Sequence, residues 1–212
     1  MGIPVLILGP SGSGKSTSLR NFDPAEVGVF NVASKPLPFR QKLKVVDNAG
    51  YGAIIKALSN PKLKTYVIDD SQYLLAFEFF NRANEKGYDK FTDMALGFYQ
   101  LIQFIIFKTP PDVIVFLLHH TEQTPDGQLK AKTIGKMLDE KLTVEGLFSI
   151  VLLAQAKKDS YSFVTQSQGY STAKSPMDMF PPEIDNDLKL VDTTIREYWG
   201  LGANQEADNG NS

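Results

Sequence analysis

The sequence predicts an α/β fold: a mostly parallel sheet flanked by helices, with an antiparallel hairpin at its C-terminal edge. Three observations carry this. Apolar runs bounded by turn residues recur at Pro4–Leu8, Val27–Val32, Thr65–Ile68, Val113–Leu118 and Ile150–Ala154, with helix-like stretches between most of them. The first run leads straight into a glycine-rich loop and a second element, the order expected of a phosphate-binding strand–loop–helix unit. After Ala154 the spacing shortens, and AKKDSYSFV reads as a tight turn around Lys158-Asp159 returning into a second strand, Tyr161–Gln166.

The elements follow in order. Pro4–Leu8 is a five-residue apolar run with no positive segment before it, so it reads as a strand rather than a signal peptide. Thr92–Phe107 places Met94, Phe98, Leu101, Ile102 and Ile105 at three- and four-residue spacings, and Pro110-Pro111 stops this amphipathic helix before the next strand. A last helix over 187–199 carries Leu188, Val191, Ile195 and Tyr198 on one face. Residues 1–202 are expected to form one domain, and the polar stretch 203–212 a disordered tail.

With 212 residues and 42% hydrophobic content, the chain can bury a full core. Zero cysteines exclude disulfides, thiolate catalysis and cysteine-ligated zinc, which points to an intracellular, cytoplasmic protein. No stretch approaches the ~20 apolar residues of a membrane helix. Net charge is −2, but between Lys35 and Lys64 seven cations (Lys35, Arg40, Lys42, Lys44, Lys56, Lys62, Lys64) face one acid, Asp47. A run of this kind is either a solvated face or a surface for nucleic-acid phosphate, with Phe39 and Tyr51 interleaved as stacking rings.

Gly9-Pro10-Ser11-Gly12-Ser13-Gly14-Lys15-Ser16 matches G-x-x-x-x-G-K-[ST] in the setting that pattern needs. Glycines let backbone N–H groups face a phosphate without a Cβ in the way, and a helix N-terminus adds partial positive charge. The loop through Thr17 is therefore expected to hold ATP, with Lys15 reaching the β- and γ-phosphates and the Ser16 hydroxyl on Mg2+. Such a site needs a carboxylate at the end of a neighbouring strand for the metal. Thr65-Tyr66-Val67-Ile68-Asp69-Asp70 supplies one: Asp69 as the metal-side acid and Asp70 to polarise the attacking water, unless Asp70 only caps the helix that follows. The strand Val113–Leu118 runs into His119-His120, which face opposite sides, so at most one reaches the crevice; His120 is the candidate.

With GPSGSGKS, VIDD and VIVFLLHHTE in this order, the chain resembles phage-encoded RecA-like P-loop ATPases, including small single-strand annealing recombinases, over roughly residues 3 to 180. That resemblance implies a RecA-like P-loop NTPase fold and an oligomer, ring or filament. It also implies single-stranded DNA and phage replication or recombination proteins as partners, and a polar γ-phosphate sensor at His120. In RecA a glutamate follows the strand after the P-loop helix, whereas here Val27–Val32 is followed by Ala33-Ser34-Lys35. Asp70 then takes over water activation, as the corresponding acid does in AAA-type ATPases. Such enzymes also draw a cation from a neighbouring subunit; Lys157, Lys158 and Lys174, near the late hairpin, are the candidates. Two other functions fit the P-loop. One is a nucleotide kinase, which would need an arginine-rich lid, although the four arginines (Arg20, Arg40, Arg82, Arg196) are scattered. The other is a nucleotide-gated loader or scaffold.

Overall fold

A computed structural model describes residues 1–135 and 137–201. The predicted disordered tail lies outside them. Each apolar run forms its strand: β1 (Ile3–Gly9), β2 (Val27–Asn31), β4 (Thr65–Asp69), β5 (Ile114–Gln123) and β7 (Ile150–Ala156). With β3 (Lys44–Asp47), these strands are parallel in the order β3-β2-β4-β5-β1-β7. The late hairpin adds β8 (Tyr161–Val164) and β9 (Glu183–Asp185), both antiparallel, at the edge next to β7. This is the predicted α/β class: a mostly parallel sheet, flanked by helices, with an antiparallel C-terminal edge.

Alternation along the central strands builds two cores, one on each face of the sheet. On one face Leu6, Leu8, Val115, Leu117, Val151 and Leu153 meet α1 (Tyr51–Ser59), α2 (Gln72–Asn81) and α3 (Asp89–Lys108). The predicted stripe of α3, Met94, Phe98, Leu101, Ile102 and Ile105, is fully buried there. On the other face Val5, Ile7, Ile114, Phe116, Ile150 and Leu152 meet Leu19, Phe22 and α4 (Leu188–Trp199). Large apolar side chains covered on this scale contribute about 1.5–3 kcal/mol each. Asp187 caps α4 by accepting from the Lys189 and Leu190 amides, and Gly200 ends it in the left-handed conformation that a Cβ disfavours.

Three expectations need correction. The element after the phosphate loop is a six-residue 3-10 turn, Ser16–Asn21, and not a regular α-helix. Asp23-Pro24 ends it, because proline has no N–H to donate and holds the preceding residue extended, and the Ser18 hydroxyl donates back to the Lys15 carbonyl at 2.5 Å. A helix dipole therefore adds little to this loop. The second correction concerns the stacking surface: Phe39 packs against the core on one face of the sheet, and Tyr51 against the core on the other, beside α3, with its hydroxyl buried. Third, the basic segment is not one face. Lys35 follows the C-terminal end of β2 and pairs with Asp70, while Lys64 precedes β4 at the opposite end of the sheet and pairs with Asp112 at 2.5 Å.

Candidate active site

The strand order sets the site. β5 lies between β1, which carries the phosphate loop, and β4, which carries the aspartates. In register, Gly9 lies beside His120 and Asn31 beside Asp69, so the loop, the acids and the histidine meet at the C-terminal ends of three strands. They line one cavity of about 280 Å³ with Ser11–Thr17, Lys35, Pro36, Pro38 and Tyr161.

The loop has the conformation its glycines allow. Gly12 and Gly14 have φ of +78° and +90°, where an L side chain is strained. At Gly9 a Cβ would lie 2.3 Å from Ser13 Oγ and 2.9 Å from the Ala154 carbonyl. Lys15 is buried and its Nζ donates to the carbonyls of Gly9 (2.7 Å) and Pro10 (2.9 Å). Burial lowers its pKa to about 8, against the attraction of Asp70 and Asp69, so the ammonium stays charged at neutral pH.

Ser16 Oγ donates to Asp69 Oδ1 at 2.8 Å, joining the phosphate loop to an acid two strands away. Asp69 is buried, which pushes its carboxyl up to about 6 despite the Ser16 hydrogen bond. Asp70, one residue on, has φ +58°, a left-handed conformation that aspartate tolerates better than most residues. Its carboxylate accepts from Lys35 Nζ (2.7 Å, Oδ2) and pairs with His120 Nε2 (3.1 Å, Oδ1). Burial opposes ionisation of Asp70, but the hydrogen bonds from His120 and Lys35 outweigh it and bring the pKa down to about 2. Asp70 does not cap α2: Ser71 holds the N-cap position with no side-chain hydrogen bond.

The two histidines separate as period-two alternation predicts. His120 faces the crevice, its ring edge-on to Tyr73 at 5.7 Å. His119 is fully buried, bonded to Ser71 Oγ (2.9 Å) and the Lys132 carbonyl (2.8 Å) and packed on Phe98. Burial lowers its pKa to about 4.

Sequence reasoning missed four lining residues, Lys35, Pro36, Pro38 and Tyr161, of which Tyr161 and Lys35 bear most on the site. Tyr161, at the start of β8, packs so closely on Gly14 that a Cβ there would lie 2.7 Å from its ring. Lys35 is one of the seven cations read as either a solvated face or a surface for nucleic-acid phosphate; the readable signal is a cation in the loop that follows β2. Of the proposed neighbour-directed cations, Lys157 pairs with Glu183, and Lys158 and Lys174 lie outside this cavity, where a cation aimed at a neighbouring subunit would also lie. No arginine lines it. Arg82 holds Glu78, Glu85 and Asp93, Arg196 holds Asp192, and Arg20 donates to the Asn186 carbonyl at 2.6 Å.

No protein-family model and no curated protein matches the sequence. Among solved structures the chain is similar to a KaiC-like protein of the hyperthermophilic archaeon Pyrococcus horikoshii OT3, at 14% identity and a TM-score of 0.48, over 82% of this chain and 83% of that one. Among the described residues no helix is long and apolar enough to cross a membrane.

Proposed function

We propose that the chain is a magnesium-dependent ATPase of the RecA-like class, working as an oligomer on single-stranded DNA within phage recombination or replication. The observation that carries the ATPase is the 2.8 Å contact between Ser16 and Asp69. It brings a hydroxyl of the phosphate loop and a buried carboxylate from another strand to one point, as a triphosphate–metal site requires.

These two oxygens fit magnesium. Among the described residues no cluster of three or more His, Cys, Asp or Glu could cage an ion alone. Magnesium binds through one or two protein oxygens and completes its shell with water and substrate phosphates. Ser16 and Asp69 would hold it, and when bound it would offset charge on the β- and γ-phosphate oxygens.

The protein's own groups do the rest. Amides of the Gly12–Gly14 stretch and the Lys15 ammonium bind phosphate oxygens in place of the Gly9 and Pro10 carbonyls. His120 fixes one oxygen of Asp70, and Asp70 orients a water in line with the γ-phosphorus. As water attacks, the bond from phosphorus to the β–γ bridging oxygen breaks, ADP leaves, and the proton passes to the released phosphate. Asp70 is a carboxylate at neutral pH, so it orients water and does not keep its proton. The arginine-free crevice favours hydrolysis over phosphoryl transfer by a nucleotide kinase.

Calorimetric titration with ATP and magnesium, with phosphate release followed in parallel, tests the reading. Uptake that Lys15→Ala abolishes is expected; a wild-type protein that takes up no nucleotide overturns it. The DNA partner rests on the family resemblance, with Arg40, Lys42, Lys44, Lys56 and Lys62, all exposed, as the cations of the run left for it. Fluorescence anisotropy with a labelled oligonucleotide across salt concentrations tests it separately. Absence of binding at low salt, with and without ATP, removes the DNA role and leaves the ATPase. Electron microscopy with an ATP analogue and single-stranded DNA distinguishes rings and filaments from monomers.

A further inference from the structure

We propose that Lys35 is a phosphate-directed cation supplied in cis: Asp70 holds its ammonium beside the loop, and the γ-phosphate of a bound triphosphate draws it away. This deepens the ATPase reading and rests on it.

The root of Lys35 is fixed, and its tip is half-exposed and held by Asp70 alone among the carboxylates of the crevice. Asn31, a buried residue at the end of β2, donates through Nδ2 to the Lys35 carbonyl (2.7 Å) and to Asp47 Oδ1 (2.8 Å). Ser34 sits at φ +53° with its hydroxyl accepting from the Asn48 amide at 2.8 Å. Pro36 follows directly and restricts the backbone of Lys35 itself. These contacts aim the side chain across β4 into the crevice. The side chain itself is 58% exposed. Its Nζ lies 2.7 Å from Asp70 Oδ2 and 4.7 Å from the centre of the Tyr73 ring, so it can shift position while staying over that ring.

Charge then couples the parts. At rest the crevice sets two ammoniums, Lys15 and Lys35, against two carboxylates, Asp69 and Asp70. A γ-phosphate adds anionic oxygens that compete with Asp70 for Lys35. Once Lys35 moves, Asp70 Oδ2 is vacant and can orient water, while His120 still holds Oδ1. A diphosphate has no γ-oxygens to draw Lys35 off, so Asp70 stays occupied. Lys35 thus does two things: it distinguishes triphosphate from diphosphate, and it releases the water-orienting acid only when there is a phosphate to attack. The cation that related enzymes take from a neighbouring subunit is here on the same chain.

The test compares Lys35→Ala and Lys35→Arg with wild type by calorimetry in magnesium, using ADP and a non-hydrolysable ATP analogue, with Lys15→Ala as control. Lys35→Ala is expected to weaken analogue binding about tenfold, as loss of one charge-assisted hydrogen bond does, with ADP affinity held to within about twofold. Lys35→Arg keeps most of the preference. Mixing Lys35→Ala with Lys15→Ala protein restores no hydrolysis, because each chain supplies its own cation. Equal losses for both nucleotides, unchanged analogue affinity, or activity recovered on mixing overturns the proposal. If Lys15→Ala abolishes binding while Lys35→Ala changes nothing, the ATPase stands and only the role of Lys35 falls. A wild type that binds neither nucleotide ends both. A thermal unfolding midpoint for Lys35→Ala that matches wild type shows that the comparison is made on folded protein.

Discussion

The ends of β4 and β5 each present one residue type twice, and in both pairs the neighbours have opposite surroundings. Asp69 is buried against Ser16 with its carboxyl raised to about 6, whereas Asp70 is held by Lys35 and His120 and lowered to about 2. His119 is sealed in the core beside Phe98, whereas His120 faces the crevice. A one-residue step along a strand changes the face, and the face decides the chemistry. The β5 pair follows this rule alone. The β4 pair needs more, since Asp70 reaches the crevice only through its left-handed backbone.

Breaking Asp70 has the largest expected effect. Asp70→Asn keeps the shape but weakens the hold on Lys35 and the orientation of water, so turnover falls by about a thousandfold while ATP binds at least as tightly as to wild type. Single-turnover phosphate release beside calorimetry separates the two. Turnover that is lost with biological function retained would make the protein a nucleotide-gated loader or scaffold rather than an enzyme dependent on hydrolysis.

Acid sharpens the histidine pair. His119 titrates near 4 when folded and near 6.5 when unfolded, so the unfolded chain binds the extra proton between these values. Its contribution is fully present above pH 6.5 and is lost towards pH 4, about 3 kcal/mol in all. Asp69 runs the other way: its folded pKa is raised, so between about 6 and 3.8 the folded state binds the proton and gains stability as pH falls. Urea unfolding of wild type and His119→Gln from pH 7 to 4 isolates the histidine: the variant's stability declines less steeply. Identical slopes would show that His119 charges freely in the fold.

Asp69→Asn is expected to raise the magnesium concentration for half-maximal triphosphate binding about 10- to 100-fold. Asp70→Asn leaves it unchanged. Magnesium titrations at fixed nucleotide measure both, and equal shifts would erase the distinction between the two aspartates.

Much of this was legible in the sequence because it depends on local pattern. Five apolar runs became five parallel strands, and eight residues from Gly9 specified the loop, since only glycine accepts the angles at 12 and 14. What was not legible depends on partners distant in sequence. The strand Lys44–Asp47 has only two apolar residues between charged ends, because it lies at an exposed edge. One local feature was legible and passed over: the polar end of β5 stays extended through Gln123 because Thr121–Gln123 pair with β6 (Leu129–Ala131) across a turn that Thr124-Pro125-Asp126-Gly127 announces. Lys35 looked like one cation of seven. Its role follows from where Asn31 and the turn at Ser34 aim it, and from Asp70 arriving from another strand.

His120 gives the smallest effect and the closest comparison with its neighbour. Its ring holds one oxygen of Asp70 and stands edge-on to Tyr73, but it covers no core. Replacing it with alanine leaves the β5–β1 pairing beside Gly9 intact, because the backbone makes that contact. His120→Ala is therefore expected to slow turnover about tenfold, as loss of one hydrogen bond to a charged partner does. Its thermal unfolding midpoint stays near wild type. His119→Ala is expected to do the reverse: it removes the bonds to Ser71 Oγ and the Lys132 carbonyl, opens a gap beside Phe98, and costs about 2–4 kcal/mol of stability. If His120→Ala instead unfolds the protein while sparing turnover, the crevice and core assignments of the two rings are exchanged, and the chemistry has to be rebuilt around His119.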